Sequence, residues 1–165
     1  MKDTKQTPMV FISYSWEDEE HKNWVRKLAE DLVKNGVDVR LDQWENKNGS
    51  DIAHFMDESV RISDRILCIL TPIYKEKAEK KKGGAGYEYR NMTAEMFANV
   101  KTTKFIPVLR KGSHQESAPT ALFGRVTVDM REDSKYEEKL EELLRDILEK
   151  PKYPKPDLGN PPNFD

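Results

Sequence analysis

Short apolar runs alternate with amphipathic stretches along nearly the whole chain, and that alternation admits few folds. Val10-Phe11-Ile12 is a buried-strand signal that opens into polar Ser13-Tyr14-Ser15. Asp18-Glu19-Glu20 follows, acidic residues suited to a helix start, and then Trp24, Val25, Leu28, Leu32 and Val33 at the spacing of one helical stripe. Asn35-Gly36 closes that helix, and Val37, Val39 and Leu41 alternate as a second strand ending at Asp42. Residues 43–50 read as a loop with an exposed tryptophan, Trp44, and the turn pair Asn48-Gly49; Ser50 is placed to cap a helix carrying Ile52, Phe55, Met56 and Val60.

Arg65 to Leu70 is expected to be the central strand, stopped by Thr71-Pro72. Tyr74 to Lys82 reads as a long, polar, lysine-rich and flexible stretch leading to Gly83-Gly84-Ala85-Gly86 and a helix from about Tyr87 to Asn99. Phe105 to Leu109 is a fourth strand, Arg125 to Val128 a weaker fifth, and Tyr136, Leu140, Leu143, Leu144, Ile147 and Leu148 mark a final helix. Five strands alternating with helices predict an α/β fold with a doubly wound, five-stranded parallel sheet and helices on both faces. Its ligands gather beyond the carboxyl ends of the strands, at the loops after Ile12, Leu41 and Leu70. The expected organisation is a disordered N-terminus over 1–8, one domain over 9–150, and a proline-rich extended tail or linker over 151–165.

Charge removes several functional classes. With 28 basic and 30 acidic residues the chain lacks the positive field of a nucleic-acid or anionic-membrane binder. Its one cysteine, Cys68, lies inside an apolar run and has no partner for an internal disulfide; with a polar N-terminus and no long apolar span, a cytoplasmic location is expected. His21, His54 and His114 show no metal-ligand spacing. The glycine run lacks the Gly-Lys-Ser/Thr of a phosphate-binding loop and does not follow the first strand as a dinucleotide fingerprint would.

Glu88 is the sharpest candidate for chemistry, because glycines let backbone approach a ligand and a helix start offers free N–H groups to an anion. The plain alternative is that Glu88 only complements a helix dipole. Glu95, roughly two turns on, is a competing acid. Trp44 can stack on an aromatic ligand or pack back on its own domain, and Ser13, Tyr14, Ser15 and Trp16 offer hydroxyls and rings at the first strand's exit.

Phe11-Ile12-Ser13-Tyr14-Ser15-Trp16, His21-Lys22-Asn23-Trp24-Val25, Leu41-Asp42-Gln43-Trp44 and Gly83-Gly84-Ala85-Gly86-Tyr87-Glu88 together resemble a bacterial SEFIR domain, of the wider TIR (Toll-type) group, over roughly Pro8 to Phe97. The resemblance implies a flavodoxin-like sheet and a self-associating loop, the family's BB loop, formed by Gln43, Trp44, Asn48, Gly49, Ser50 and Asp51. It also implies NAD as a substrate whose nicotinamide bond is cleaved with Glu88 as the catalytic glutamate, Tyr87 or Trp44 stacking on the ring, and no further cofactor. Where the family approaches its glutamate through a tryptophan or cysteine segment, this chain has Gly86-Tyr87, which keeps Glu95 in play. Domains of this kind act in signalling or antiphage defence through homotypic contacts, with a sensor or effector domain expected beyond the tail. A non-catalytic adaptor and a nucleoside deoxyribosyltransferase-like enzyme are the alternatives. A response-regulator receiver fits poorly, because Ser13-Tyr14 stands where adjacent acidic residues would bind a metal.

Overall fold

The computed structural model describes residues 7–80 and 102–165. Five strands form one parallel sheet in the order β2-β1-β3-β4-β5: β1 (Met9–Ser13), β2 (Asp38–Arg40), β3 (Arg65–Leu70), β4 (Phe105–Leu109) and β5 (Val128–Asp129). The expected central strand is central, and the order turns back on itself between β1 and β3. Their register pairs Phe11 with Ile66 and Ser13 with Cys68, so the two strands leave the sheet side by side at its carboxyl edge.

Alternation along β3 divides the core. Leu67 and Ile69 face α1 (Glu19–Lys34) and the last helix, α6 (Tyr136–Ile147), in a cluster with Val10, Ile12, Leu28, Leu32, Val108, Leu140 and Leu143. Ile66, Cys68 and Leu70 face α3 (Ile52–Ile62) and α4 (Pro72–Glu79), packing with Phe11, Phe55, Tyr74, Phe105 and Leu122. A strand covered on both faces must be apolar at every position, which is why β3 reads as an unbroken run. Each such side chain contributes about 1.5–3 kcal/mol by leaving water.

Several sequence expectations need correction. Residues 43–50 are not wholly loop: Asp42–Glu45 is a helical turn, α2, whose Trp44 and Glu45 amides donate to the Leu41 carbonyl. The cap of α3 is Asp51, which accepts from the His54 amide at 3.0 Å, while Ser50 Oγ accepts from the Lys47 amide at 2.8 Å. Pro72 starts a helix instead of only ending a strand: Thr71 is the N-cap and Pro72 occupies the first turn, so the stretch expected to be flexible is helical as far as Glu79. The second strand is shorter than Val37–Leu41, and the fifth begins at Val128, because Val126 is 94% exposed and the chain rejoins β4 only where Val128 pairs with Val108. A short helix, α5 (His114–Ser117), follows β4. The tail from Pro151 has no helix or strand and is exposed. Among the described residues no helix is long and apolar enough to cross a membrane.

Candidate functional site

Polar side chains from four strand exits meet at the carboxyl edge in two adjoining clusters. One is built on Asp42, a buried carboxylate at the β2 exit. The Tyr14 hydroxyl donates to its Oδ1 at 2.7 Å, the Trp16 indole N–H to its Oδ2 at 2.7 Å, and the Gln43 amide to Oδ1 at 2.8 Å. The Gln43 side-chain amide then donates to Tyr14 Oη at 2.9 Å and to the Lys22 carbonyl at 3.1 Å, and Arg26 donates to Gln43 Oε1 at 3.0 Å. Burial, then the Asp42 hydrogen bond and charge, push the Tyr14 phenol far above its ordinary range, so it remains a proton donor. Asp42→Asn is expected to cost about 1–3 kcal/mol, since one carbonyl oxygen replaces two acceptors and a buried donor loses its partner. A denaturant titration with a change in tryptophan emission from Trp16 checks this.

The other cluster is built on Glu17, whose side chain is 6% exposed. Its Oε2 accepts from the Ser15 and Thr71 hydroxyls, both at 2.6 Å, while Lys111 Nζ, from the β4 exit, lies 3.6 Å from Oε1. Thr71 Oγ1 also accepts from the Tyr74 amide at 3.0 Å, so the carboxylate of one loop steadies the cap of α4. Ser13 is buried with its Oγ 2.9 Å from Tyr74 Oη.

His21 is buried beside Glu17, with Nε2 3.5 Å from Oε2; that is an ion-pair separation, and neither ring nitrogen makes a hydrogen bond among the described residues. Burial holds its pKa below the ordinary 6.5, a shift that Glu17 opposes and that Lys111 and Arg110 reinforce. With a depressed folded-state value, the unfolded chain binds the proton first, so stability is complete above pH 6.5 and falls as the pH drops from there towards the folded-state pKa. Each pH unit in that window costs up to about 1.4 kcal/mol. Thermal unfolding midpoints should decline from pH 7 to 5 in the wild type and flatten in His21→Gln.

The sequence-predicted residues therefore divide. Ser13, Tyr14, Ser15 and Gln43 come together, but as buried or half-buried members of internal networks. Trp44 is 40% exposed on α2, with Ile52 at 49% on the following helix and Trp16 at 55% at the β1 exit. Asn48, Gly49, Ser50 and Asp51 are exposed between α2 and α3, and Gly49 takes a φ of +92° that favours glycine. Tyr87, Glu88 and Glu95 lie outside the described residues. Sequence reasoning missed Glu17, Thr71 and His21 as a group; the only local hint was an acid placed directly after the polar exit Ser13-Tyr14-Ser15-Trp16. A cavity of about 590 Å³ beside Arg65, Glu142, Arg145 and Tyr153 lies at the opposite, amino edge of the sheet and shares no residue with this site.

The family model described as TIR domain matches residues 10–144. A solved prokaryotic SEFIR domain is 36% identical, with 85% of this chain and 98% of that one covered and a TM-score of 0.68. The TIR domain of a Toll-related receptor from Hydra magnipapillata shares the fold at 17% identity and a TM-score of 0.62, covering 84% of this chain and 97% of that one. The TIR domains of the activated Roq1 resistosome share it at 15% identity and a TM-score of 0.65, covering 85% and 99%. No curated protein matches this chain.

Proposed function

This chain belongs to the TIR-domain family, among its SEFIR members, and from that premise we propose that it cleaves the nicotinamide–ribose bond of NAD when copies assemble. The observation that carries the reading is the convergence of four strand exits on one carboxyl edge with fixed polar networks, where Trp16, bonded to Asp42, is exposed and Trp44 is exposed on the adjoining α2. Ligands of open parallel sheets bind at that edge. In sequence, Glu88 follows α4, the helix whose cap is tied into the same edge by Glu17.

In the proposed reaction the C1′–N bond breaks and its electron pair leaves with nicotinamide, a neutral base that needs no general acid. The Glu88 carboxylate stabilises the oxocarbenium character that develops on the ribose, and water adds to C1′ and loses a proton, giving ADP-ribose. Assembly enters through the segment from Gln43 to Asp51, which presents exposed Trp44 to a neighbouring copy. A role in signalling or antiphage defence in the cytoplasm follows from this reading.

The test is nicotinamide release from NAD as protein concentration rises. Release should climb more steeply than linearly with concentration and appear in crowded solution. Concentrated, crowded and demonstrably self-associated protein that releases no nicotinamide overturns the enzyme reading. It would leave a homotypic adaptor, which exposed Trp44 and Ile52 also suit.

A further inference from the structure

Three ammonium groups from three separate elements approach the two-residue segment Trp16-Glu17. Lys22 of α1 stands 4.5 Å from the centroid of the Trp16 ring. Lys77 of α4 donates to the Trp16 carbonyl at 3.1 Å, and Lys111 at the β4 exit is 3.6 Å from Glu17 Oε1. The carboxylates at this segment are engaged: Asp42 accepts from the Trp16 indole N–H and the Tyr14 hydroxyl. Glu17 is shared among two hydroxyls, His21 and Lys111, Lys77 donates to a neutral carbonyl, and Lys22 pairs at 3.7 Å with Glu19, whose side chain is 84% exposed. Three lysines from separate elements thus converge on the segment that carries the exposed Trp16 ring.

That ring is already oriented. The indole N–H of Trp16 is fixed on Asp42 Oδ2, yet the residue is 55% exposed. A ligand that stacks there does not have to immobilise the side chain first. Lysines act on phosphate as compact point charges, and two of them against the two-residue segment that carries a pre-set ring match a diphosphate joined to a ring.

We propose that Lys77 and Lys111 bind the diphosphate of a dinucleotide at this edge while Trp16 receives its adenine. The inference rests on the NAD reading for the identity of the ligand and extends it to the residues that hold the non-reacting half. Lys22, on one face of the indole, adds to the field that draws the anion in.

The experiment uses the full chain carrying Glu88→Gln, with ADP-ribose and adenosine as probes and calorimetry at protein concentrations that allow assembly. Lys77→Gln/Lys111→Gln should weaken ADP-ribose by about a hundredfold, roughly tenfold for each charge-assisted contact, and leave adenosine within about twofold. Trp16→Ala should weaken both. Lys77→Arg/Lys111→Arg should retain most of the affinity, and raising salt to about 0.3 M should weaken ADP-ribose but not adenosine. These last two measurements hold even if the glutamine variant folds poorly. ADP-ribose affinity unchanged in the glutamine variant, insensitive to salt, or absent in the parent overturns the proposal. The two readings fail differently: ADP-ribose binding without any NAD turnover removes the enzyme and keeps this site, whereas turnover with an unchanged KM in the double lysine variant of the chain with Glu88 intact removes this site and keeps the enzyme.

Discussion

Glu17→Ala is expected to destabilise the domain by about 3 kcal/mol and to lower its thermal midpoint by about 10 °C. The carboxylate is buried, and its removal strands the Ser15 and Thr71 hydroxyls and leaves His21 and Lys111 without their acid. Against a typical total of about 5–15 kcal/mol, that loss is large for a residue outside the apolar core. It should also be local in character, because three loops are tied to the one side chain. Thr71 would keep its bond from the Tyr74 amide but lose its own acceptor, loosening the start of α4 while the sheet persists.

Lys111→Ala supplies the contrast. Its side chain is 39% exposed, so its pairing with Glu17 is screened by solvent and its loss should change stability by less than about 1 kcal/mol. Equal costs for the two substitutions, measured by denaturant titration, would show that the cluster is held by its ion pair. Unequal costs in the predicted order show that the hydroxyl–carboxylate bonds hold it. Glu17→Gln should fall between, since an amide keeps one acceptor oxygen for two donors.

The legible part of this fold is the part written in local periodicity. β1, β3 and β4 announce themselves as apolar runs because both faces of each are covered, and α1 and α6 carry full stripes such as Leu28-Leu32 and Leu140-Leu143-Ile147. α4 was obscured by Pro72, which serves equally as a strand stop and as a first-turn helix residue; Thr71 before it decides between them. α2 is a single turn, too short to show a period, and depends on amides meeting the Leu41 carbonyl. Ser50 and Asp51 are adjacent capping candidates, and only the direction of the chain entering α3 selects the aspartate. The fifth strand is two residues long and leaves Val126 in solvent, so its apolar content misplaces it.

The site was less legible than the fold. Trp44, Tyr14 and the serines were visible as residue types at strand exits, but what each does depends on partners far along the chain. Tyr14 meets Asp42 28 residues later, and Glu17 meets Thr71 54 residues later. No window of sequence contains such a pair. Glu17 in particular reads as one more acid at the start of α1, and only the parallel exit of β1 and β3 turns it into a buried acceptor.

The proposed cleavage of NAD with Glu88 as the reacting carboxylate is tested most directly by nicotinamide release from concentrated, self-associated protein, with Glu88→Gln and Glu95→Gln measured beside the wild type. Glutamine keeps the size of the side chain and removes the charge, so a variant that still folds and assembles isolates the electrostatic contribution. The prediction is a fall of at least about a hundredfold in Glu88→Gln and near-wild-type release in Glu95→Gln. Release that survives in Glu88→Gln, or that is lost only in Glu95→Gln, contradicts the assignment.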